Sequence, residues 1–284
     1  MFNFAANFRN EAMGYLSTDK KKITAKTFVE MKNAGEKITM LTAYDFTTAG
    51  IIDQAGIDGI LIGDSASNVM AGNENTIPIT VDQMIYHAKA VAKACKHCLV
   101  ICDMPFGSYQ VSREEGIRNA IRIIKESGAD AVKMEGGEEI ADTVKGIIDA
   151  GIPVMGHLGL TPQSVHKFGG YGLRAKQEAE AQKLLKDAKI LDEVGCFGIT
   201  LEKVPAALAA EVTKSVKAAT IGIGAGHDTD GQILVYADAL GMTQGFKPKF
   251  LRHFAQVAEV MNNGVQEYIK TVKEATFPSD EESY

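Results

Sequence analysis

The sequence predicts a (β/α)8 barrel, a closed parallel sheet with its helices outside, and two observations carry that expectation. Eight strand-like segments alternate with helical ones across about 250 residues, with no composition break to mark a second domain. Polar residues recur at one place in each unit, the C-terminal end of the strand, where a barrel gathers them at a single mouth. An open doubly wound sheet alternates in the same way, and sequence period alone does not separate the two. The expected layout is one domain, 1–284, with the barrel over about 36–245, an arm and helix in 1–35, and a helix and tail in 248–284.

Taken in order, the first twenty or so residues show no clean period and read as an arm or tail. Thr27-Phe28-Val29-Glu30 has the form of a capping box, and Gly35 supplies a stop, so a short helix leads in. Ile38 to Asp45 reads as the first strand, with a helix over about Thr47 to Gln54 and a stop at Gly56. Gly59 to Ser65 is the second strand. After a long loop its helix, near Val81 to Lys96, opens with a Thr80-to-Gln83 box.

Leu99 to Asp103 is the third strand, and its helix starts at Ser112-Arg113-Glu114-Glu115 with Ile117, Ile121 and Ile124 as an apolar stripe. Ala131 to Glu135 is the fourth, followed by a helix with Ile140, Val144, Ile147 and Ile148 on one face. Ile152 to His157 is the fifth. A glycine-rich loop, Gly159 to Gly172, precedes a helix whose Ala181, Leu184, Leu185, Ala188 and Leu191 face inward. Phe197 to Glu202 is the sixth strand, with Pro205 just inside its helix; Thr220 to Gly226 is the seventh and Ile233 to Tyr236 a weaker eighth. The last helix is expected to carry Phe250, Phe254, Val257, Met261 and Val265 on one stripe.

Bulk properties narrow the function classes. Thirty basic against 36 acidic residues give a formal charge of −6 with no basic block, which argues against nucleic acid as a partner. No apolar run approaches the roughly 18 residues of a spanning helix, and the start lacks the basic-then-apolar order of a secretory signal. The expectation is a soluble cytoplasmic protein, not a membrane one. Four cysteines in 284 residues are no disulfide framework. Cys95-Lys96-His97-Cys98 has CxxC spacing, but no second pair completes a zinc site; two reduced structural thiols are expected, with a redox pair as the alternative.

The chemistry starts from Lys133 and Glu135. Two residues apart on a strand, they share one face while Val132 and Met134 take the other. Charged groups are rarely buried unpaired, so the strand is a half-exposed edge or the pair lines a site. Gly136-Gly137, followed at once by a helical pattern, favours a site. Asp45, Asp64 with Ser65, Asp103, His157 and Glu202 end other strands. Singly, Asp64 or Asp103 fits a helix cap as well, and His157 a hydrogen-bonded structural residue.

Together they say more. Asp64, Asp103 and Glu135 on adjacent strand ends would repel one another unless a cation sits between them. Magnesium, bound through oxygens and usually keeping waters, suits so sparse a set better than calcium or zinc. Such an ion grips a 2-oxo acid and stabilises the enolate formed next to the keto carbon. Lys133 adds positive charge for the substrate carboxylate, and Glu202, after Ile199 to Leu201, is the candidate base, its pKa expected to rise among apolar neighbours. Gly222 to Gly226 does not satisfy G-x-G-x-x-G, since His227 breaks it and it comes late in the chain. Close backbone packing there fits better than a nicotinamide site.

With these residues in view, the sequence resembles the ketopantoate hydroxymethyltransferase family. The matching segments are Thr42-Ala43-Tyr44-Asp45, Gly63-Asp64-Ser65, Asp103-Met104-Pro105-Phe106, Lys133 to Gly137, Gly156-His157-Leu158-Gly159-Leu160-Thr161-Pro162-Gln163-Ser164, Leu201-Glu202-Lys203-Val204-Pro205, and Gly222 to Gly226 with Thr229 to Leu234. The resemblance implies a barrel, usually a homodecamer, that adds the one-carbon unit of 5,10-methylenetetrahydrofolate, a cosubstrate, to 3-methyl-2-oxobutanoate. The product is 2-dehydropantoate, on the way to pantothenate. It implies one magnesium per subunit near Asp64, Asp103 and Glu135; oxo acid bound by Asp64, Ser65, Asp103 and Lys133; Glu202 as proton acceptor; and His157 and Tyr44 as supporting candidates.

Two departures stand out: Ala66-Ser67-Asn68, where the family commonly has a bulky residue and Gly, and Lys203, where it commonly has Cys. The rival readings are a metal-dependent lyase or mutase acting on 2-oxo acid enolates and a non-catalytic barrel. The first is expected to carry a cysteine in a mobile loop, the second to have lost the charged residues; neither pattern is present.

Overall fold

The computed structural model describes residues 22–245 and 247–284, so the expected arm over the first twenty residues lies outside the described part. In chain order the elements are α1 (Ala25–Ala34), β1 (Ile38–Thr42), α2 (Phe46–Gln54), β2 (Gly59–Ile62), α3 (Ala66–Val69), α4 (Val81–Ala94), β3 (Leu99–Asp103), α5 (Arg113–Ser127), β4 (Ala131–Glu135) and α6 (Ala141–Asp149). They continue with β5 (Val154–Gly159), α7 (Val165–Phe168), α8 (Glu178–Glu193), β6 (Gly198–Glu202), α9 (Ala206–Ser215), β7 (Ala219–Ile223), β8 (Gly231–Leu234), α10 (Tyr236–Ala239) and α11 (Val257–Lys273). The strands close in sequence order, β8 pairing with β1, all parallel. This is the (β/α)8 barrel, and the open sheet is excluded.

Alternation along each strand builds two apolar layers. The inward residues Ile38, Met40, Leu61, Leu99, Ile101, Ala131, Met155 and Ile221 fill the barrel. The outward Ile60, Ile62, Val100, Val132, Met134, Val154 and Ile199 meet the helices. The lower end is stoppered by α1, whose fully buried Phe28 packs edge-on to Phe197 with ring centroids 6.0 Å apart. Toward the strands' C-terminal ends the inward positions turn polar: Asp103, Lys133, Glu135, His157 and Thr200 are all buried. A barrel interior has room there for side chains and ligand but not for bulk water, so these groups must pair with one another.

Most boundaries fall within a few residues of expectation, and the differences have physical reasons. The N-cap of α1 is Thr24, paired with Thr27, not Thr27 with Glu30. The first and second strands stop at Thr42 and Ile62 because Asp45 already caps α2, its carboxylate accepting from Thr48 N at 2.9 Å, and Ser65 starts α3. Pro205 caps α9 from just outside the helix. The buried face of α5 is Gly116, Ala120, Ile123 and Ser127, while Ile121 is 43% exposed. Small residues let that helix lie close to the barrel, and a search for large apolar residues misphases it.

The C-terminal helix begins at Val257, since Pro248 and the irregular stretch after it break the period; Phe250 and Phe254 are not part of it. No residue of α11 is buried, although Val260, Met261, Val265, Tyr268, Ile269 and Val272 line it. The late glycine run serves close packing: a Cβ on Gly226 would stand 2.5 Å from that of Ala206 at the start of α9.

Candidate active site

Strand register brings the charged residues together. Asp103 is paired with Lys133, Glu135 with His157, and Gly159 with Glu202. All these strands end at the same rim, over a cavity of about 810 Å³ lined by Asp64, Asp103, Lys133, Glu135, His157 and Glu202 among others. Lys133 and Glu135 do share the inner face, with Val132 and Met134 in the outer layer, as period two requires. They do not pair with each other. Lys133 Nζ stands 2.7 Å from Asp103 Oδ1 and 3.2 Å from His157 Nδ1.

His157 lies between two carboxylates, Nδ1 3.4 Å from Glu135 Oε1 and Nε2 3.4 Å from Glu202 Oε2. Nε2 is buried and faces Glu202 Oε2 without an aligned hydrogen bond. The backbone under Glu202 is held by Leu160, whose N–H donates to Glu202 O at 2.8 Å. That contact needs Gly159, at φ 92°, where a Cβ would come within 2.3 Å of the same oxygen.

Asp64 N–H donates to Asp103 Oδ2 at 3.0 Å, linking β2 to β3. Ser65 Oγ and the buried Tyr44 hydroxyl are 2.7 Å apart, so Tyr44 reaches the rim through Ser65. Its own pKa is raised by burial.

Electrostatics follow from crowding without water. Burial, then the charges of Glu135 and Asp103, push the Asp64 carboxyl well above its usual range. Asp103 is also raised, by burial first, with Lys133 opposing. Burial would lower the Lys133 pKa, but Asp103, Glu135 and Asp64 outweigh it and the ammonium is held above its ordinary value. Burial and Lys133 lower that of His157, yet the Glu135 and Glu202 carboxylates against its two ring nitrogens lift it to about 9. Negative charge is in excess here, and a protonated ring relieves it even beside Lys133.

Two buried polar groups complete the site that the sequence reading did not single out, Gln163 and Tyr109. Gln163 Nε2 donates to Asp64 Oδ2 at 2.9 Å and its backbone N–H to Glu135 Oε2 at 2.9 Å. The Tyr109 hydroxyl lies 2.7 Å from Gln163 Oε1 and accepts from Glu135 N at 3.1 Å. Gln163 sat within the quoted Gly156–Ser164 segment; nothing in its spacing shows that Thr161-Pro162 turns it inward. The departures are also placed. Ala66 and Ser67 are buried in α3, Ser67 Oγ donating to Asn75 O at 2.8 Å. Lys203, at φ 45°, lines the cavity and donates to the Tyr171 carbonyl.

Among the described residues, one group of His, Cys, Asp or Glu brings three ligand atoms within 4.8 Å of one another, and it is Asp53 with Cys95 and Cys98. It lies at the other end of the barrel, ahead of β3. There Asp53 accepts from the backbone N–H groups of Lys96, His97 and Cys98 at 3.0, 3.1 and 2.9 Å and so caps a turn. Cys95 and Cys98 are buried free thiols, and contact with Cys95, then burial, raises the pKa of Cys98. The oxygens of Asp64, Asp103 and Glu135 are more widely spaced than that group.

The sequence model of the ketopantoate hydroxymethyltransferase family matches residues 22–280. The 3-methyl-2-oxobutanoate hydroxymethyltransferase of Bacteroides fragilis is 59% identical over 271 residues, covering 95% of this chain and 99% of that protein. Its counterpart in Christiangramia forsetii is 59% identical over 272 residues, 96% of this chain and all of that one. Among solved structures, phosphonopyruvate hydrolase in complex with oxalate and Mg++ aligns at a TM-score of 0.59 over 91% of this chain and 93% of that one. At 13% identity it speaks for the fold alone. Among the described residues no helix is long and apolar enough to cross a membrane.

Proposed function

Since the chain belongs to the ketopantoate hydroxymethyltransferase family, we propose that it transfers the hydroxymethyl unit of 5,10-methylenetetrahydrofolate to 3-methyl-2-oxobutanoate, giving 2-dehydropantoate for pantothenate and coenzyme A synthesis. One observation carries this reading beyond family membership. A buried lysine, three buried carboxylates and a histidine–glutamate pair converge on one cavity at the strands' C-terminal ends.

In this reading Lys133 and Ser65 bind the oxo acid's carboxylate, with Asp64 and Asp103 on its keto side. Glu202 takes the proton from C3. Water opens the folate's methylene bridge, both C–N bonds breaking to leave tetrahydrofolate and a formaldehyde unit. The enolate carbon adds to that unit, whose oxygen takes up a proton to become the new hydroxyl. His157 Nε2, 3.4 Å from Glu202 Oε2, orients that carboxylate and shares the proton it gains. A small branched oxo acid leaves much of an 810 Å³ cavity free, which suits a second, larger substrate.

The donor set fits magnesium. Asp64 and Asp103 offer only oxygens, and burial, with the charge of Glu135, raises the pKa of both; Asp103 Oδ1 touches Lys133 without an aligned hydrogen bond and retains a lone pair. Asp64, Asp103 and Glu135 would hold it. Bound there, it would supply Lewis acidity toward the keto oxygen.

A homo-oligomer, expected as a decamer, is part of the same reading. The exposed apolar stripe of α11 supports it, as do the exposed outward residues Thr39 and Gln232 of β1 and β8, which no helix covers among the described residues. Four buried free cysteines suit a reducing cytoplasm.

The test is exchange of the C3 proton of 3-methyl-2-oxobutanoate with deuterated solvent, with and without magnesium. Metal-dependent exchange, followed by 2-dehydropantoate once methylenetetrahydrofolate is added, is expected. Absence of both would refute the assignment.

A further inference from the structure

Gln163 uses both polar atoms of its side chain and its backbone N–H in hydrogen bonds. Its Nε2 protons go to Asp64 Oδ2 at 2.9 Å and to the Met104 carbonyl at 3.0 Å. Oε1 accepts from the Tyr109 hydroxyl at 2.7 Å and from Gln110 Nε2 at 3.2 Å. The backbone N–H goes to Glu135 Oε2 at 2.9 Å. The residue is 5% exposed. Its amide cannot be turned over: reversal would set Oε1 against a carboxylate and a carbonyl, two acceptors with no proton between them.

One neutral residue thus holds one oxygen of Asp64, from β2, and one oxygen of Glu135, from β4, and ties both to the segment after β3. The oxygens that Gln163 leaves unheld are Asp64 Oδ1 and Glu135 Oε1, the latter 3.4 Å from His157 Nδ1. A lysine or arginine in this place would restrain the same carboxylates and also cancel their charge. An apolar residue of equal size would cancel nothing but let them rotate. Only an uncharged double donor both restrains the acids and leaves their negative charge available.

We propose that Gln163 is a positioning residue, which sets the rotamers of Asp64 and Glu135 so that the pair presents one oxygen each to a hard divalent cation. Tyr109 acts behind it, anchoring Gln163 Oε1 and the Glu135 backbone at once. This rests on the metal reading given above and extends it to a residue that touches neither metal nor substrate.

The experiment is Mn2+ binding, followed by electron paramagnetic resonance, to the full chain as wild type, Gln163→Met, Tyr109→Phe and Glu135→Gln, with unfolding of each metal-free protein alongside. Loss of a group that orients metal ligands typically costs about 10- to 100-fold in affinity, and that is the loss expected for Gln163→Met. Tyr109→Phe should lose less, in the same direction. Gln163→Met that unfolds earlier than wild type yet binds Mn2+ with wild-type affinity would make Gln163 a packing residue and overturn the proposal. Should Gln163→Met fail to fold, unchanged Mn2+ affinity in Tyr109→Phe overturns it instead. Glu135→Gln separates the two levels: if it binds as wild type does, the metal reading itself has failed, whereas its weakening beside an unaffected Gln163→Met removes Gln163 alone.

Discussion

Asp103 and Lys133 are register partners on adjacent strands, and Lys133 Nζ stands 2.7 Å from Asp103 Oδ1 with both side chains 4% exposed. An ion pair so deep contributes little net stability, because both charges have left water, but losing one partner strands the other. Lys133→Met would leave Asp103 buried beside Asp64 and Glu135 with its main counter-charge gone. A loss of about 3–5 kcal/mol is expected in urea unfolding of the metal-free protein. A variant as stable as the wild type would show that the charge of Asp103 does not depend on Lys133.

Glu202→Gln keeps the size of the side chain and removes the base. Binding of 3-methyl-2-oxobutanoate by calorimetry should persist, while the C3 exchange rate falls by about 100- to 10,000-fold. Exchange at the wild-type rate would mean that another group takes the proton.

The His157 pKa, raised from 6.5 to about 9, makes stability pH-dependent. The folded state holds this proton more tightly than the unfolded chain, so the contribution is whole below pH 6.5 and is lost as pH climbs through about 9. Asp64 and Asp103, raised from 3.8, act in the same sense, favouring the folded state most where they are protonated. Metal-free protein should therefore lose roughly 3 kcal/mol from His157 across that window. Divalent ion should restore stability, and more so at the alkaline end. A midpoint that rises from pH 6.5 to 9 in metal-free protein would contradict this sign.

At Gly159 the chain needs φ 92° and a Cβ-free approach to Glu202 O. Gly159→Ala is expected to cost about 1–3 kcal/mol in stability and to slow C3 exchange, because the displaced strand end carries Glu202. Unchanged kcat with lowered stability would separate the turn from the chemistry.

The bare stripe of α11 gives a prediction about assembly. The full chain should elute from a sizing column far above its 30.5 kDa, and Val265→Glu with Tyr268→Glu should shift it to a smaller species. A wild-type chain that elutes at monomer mass would count against the oligomer.

The barrel and its charged rim were legible because they depend on short-range regularities. Period two puts Lys133 and Glu135 on one face with Val132 and Met134 on the other, and repetition of strand, acid and helix puts Asp64, Asp103, Glu135 and Glu202 at one end whatever the packing details. Helix faces were less legible. In α5 the buried stripe is Gly116, Ala120, Ile123 and Ser127, chosen by how closely the helix approaches, not by hydrophobicity.

By itself, then, the sequence determined the strand count, which residues reach the mouth and what chemistry such residues favour, since each follows from spacing along one chain. Only the tertiary structure decided who pairs with whom. Register set Lys133 against Asp103 and not Glu135, turned Gln163 onto two acids 28 and 99 residues away, and brought Asp53 to cap the turn before β3. Hydrogen bonds and buried charges depend on distances of a few tenths of an ångström, and closure of the barrel fixes those.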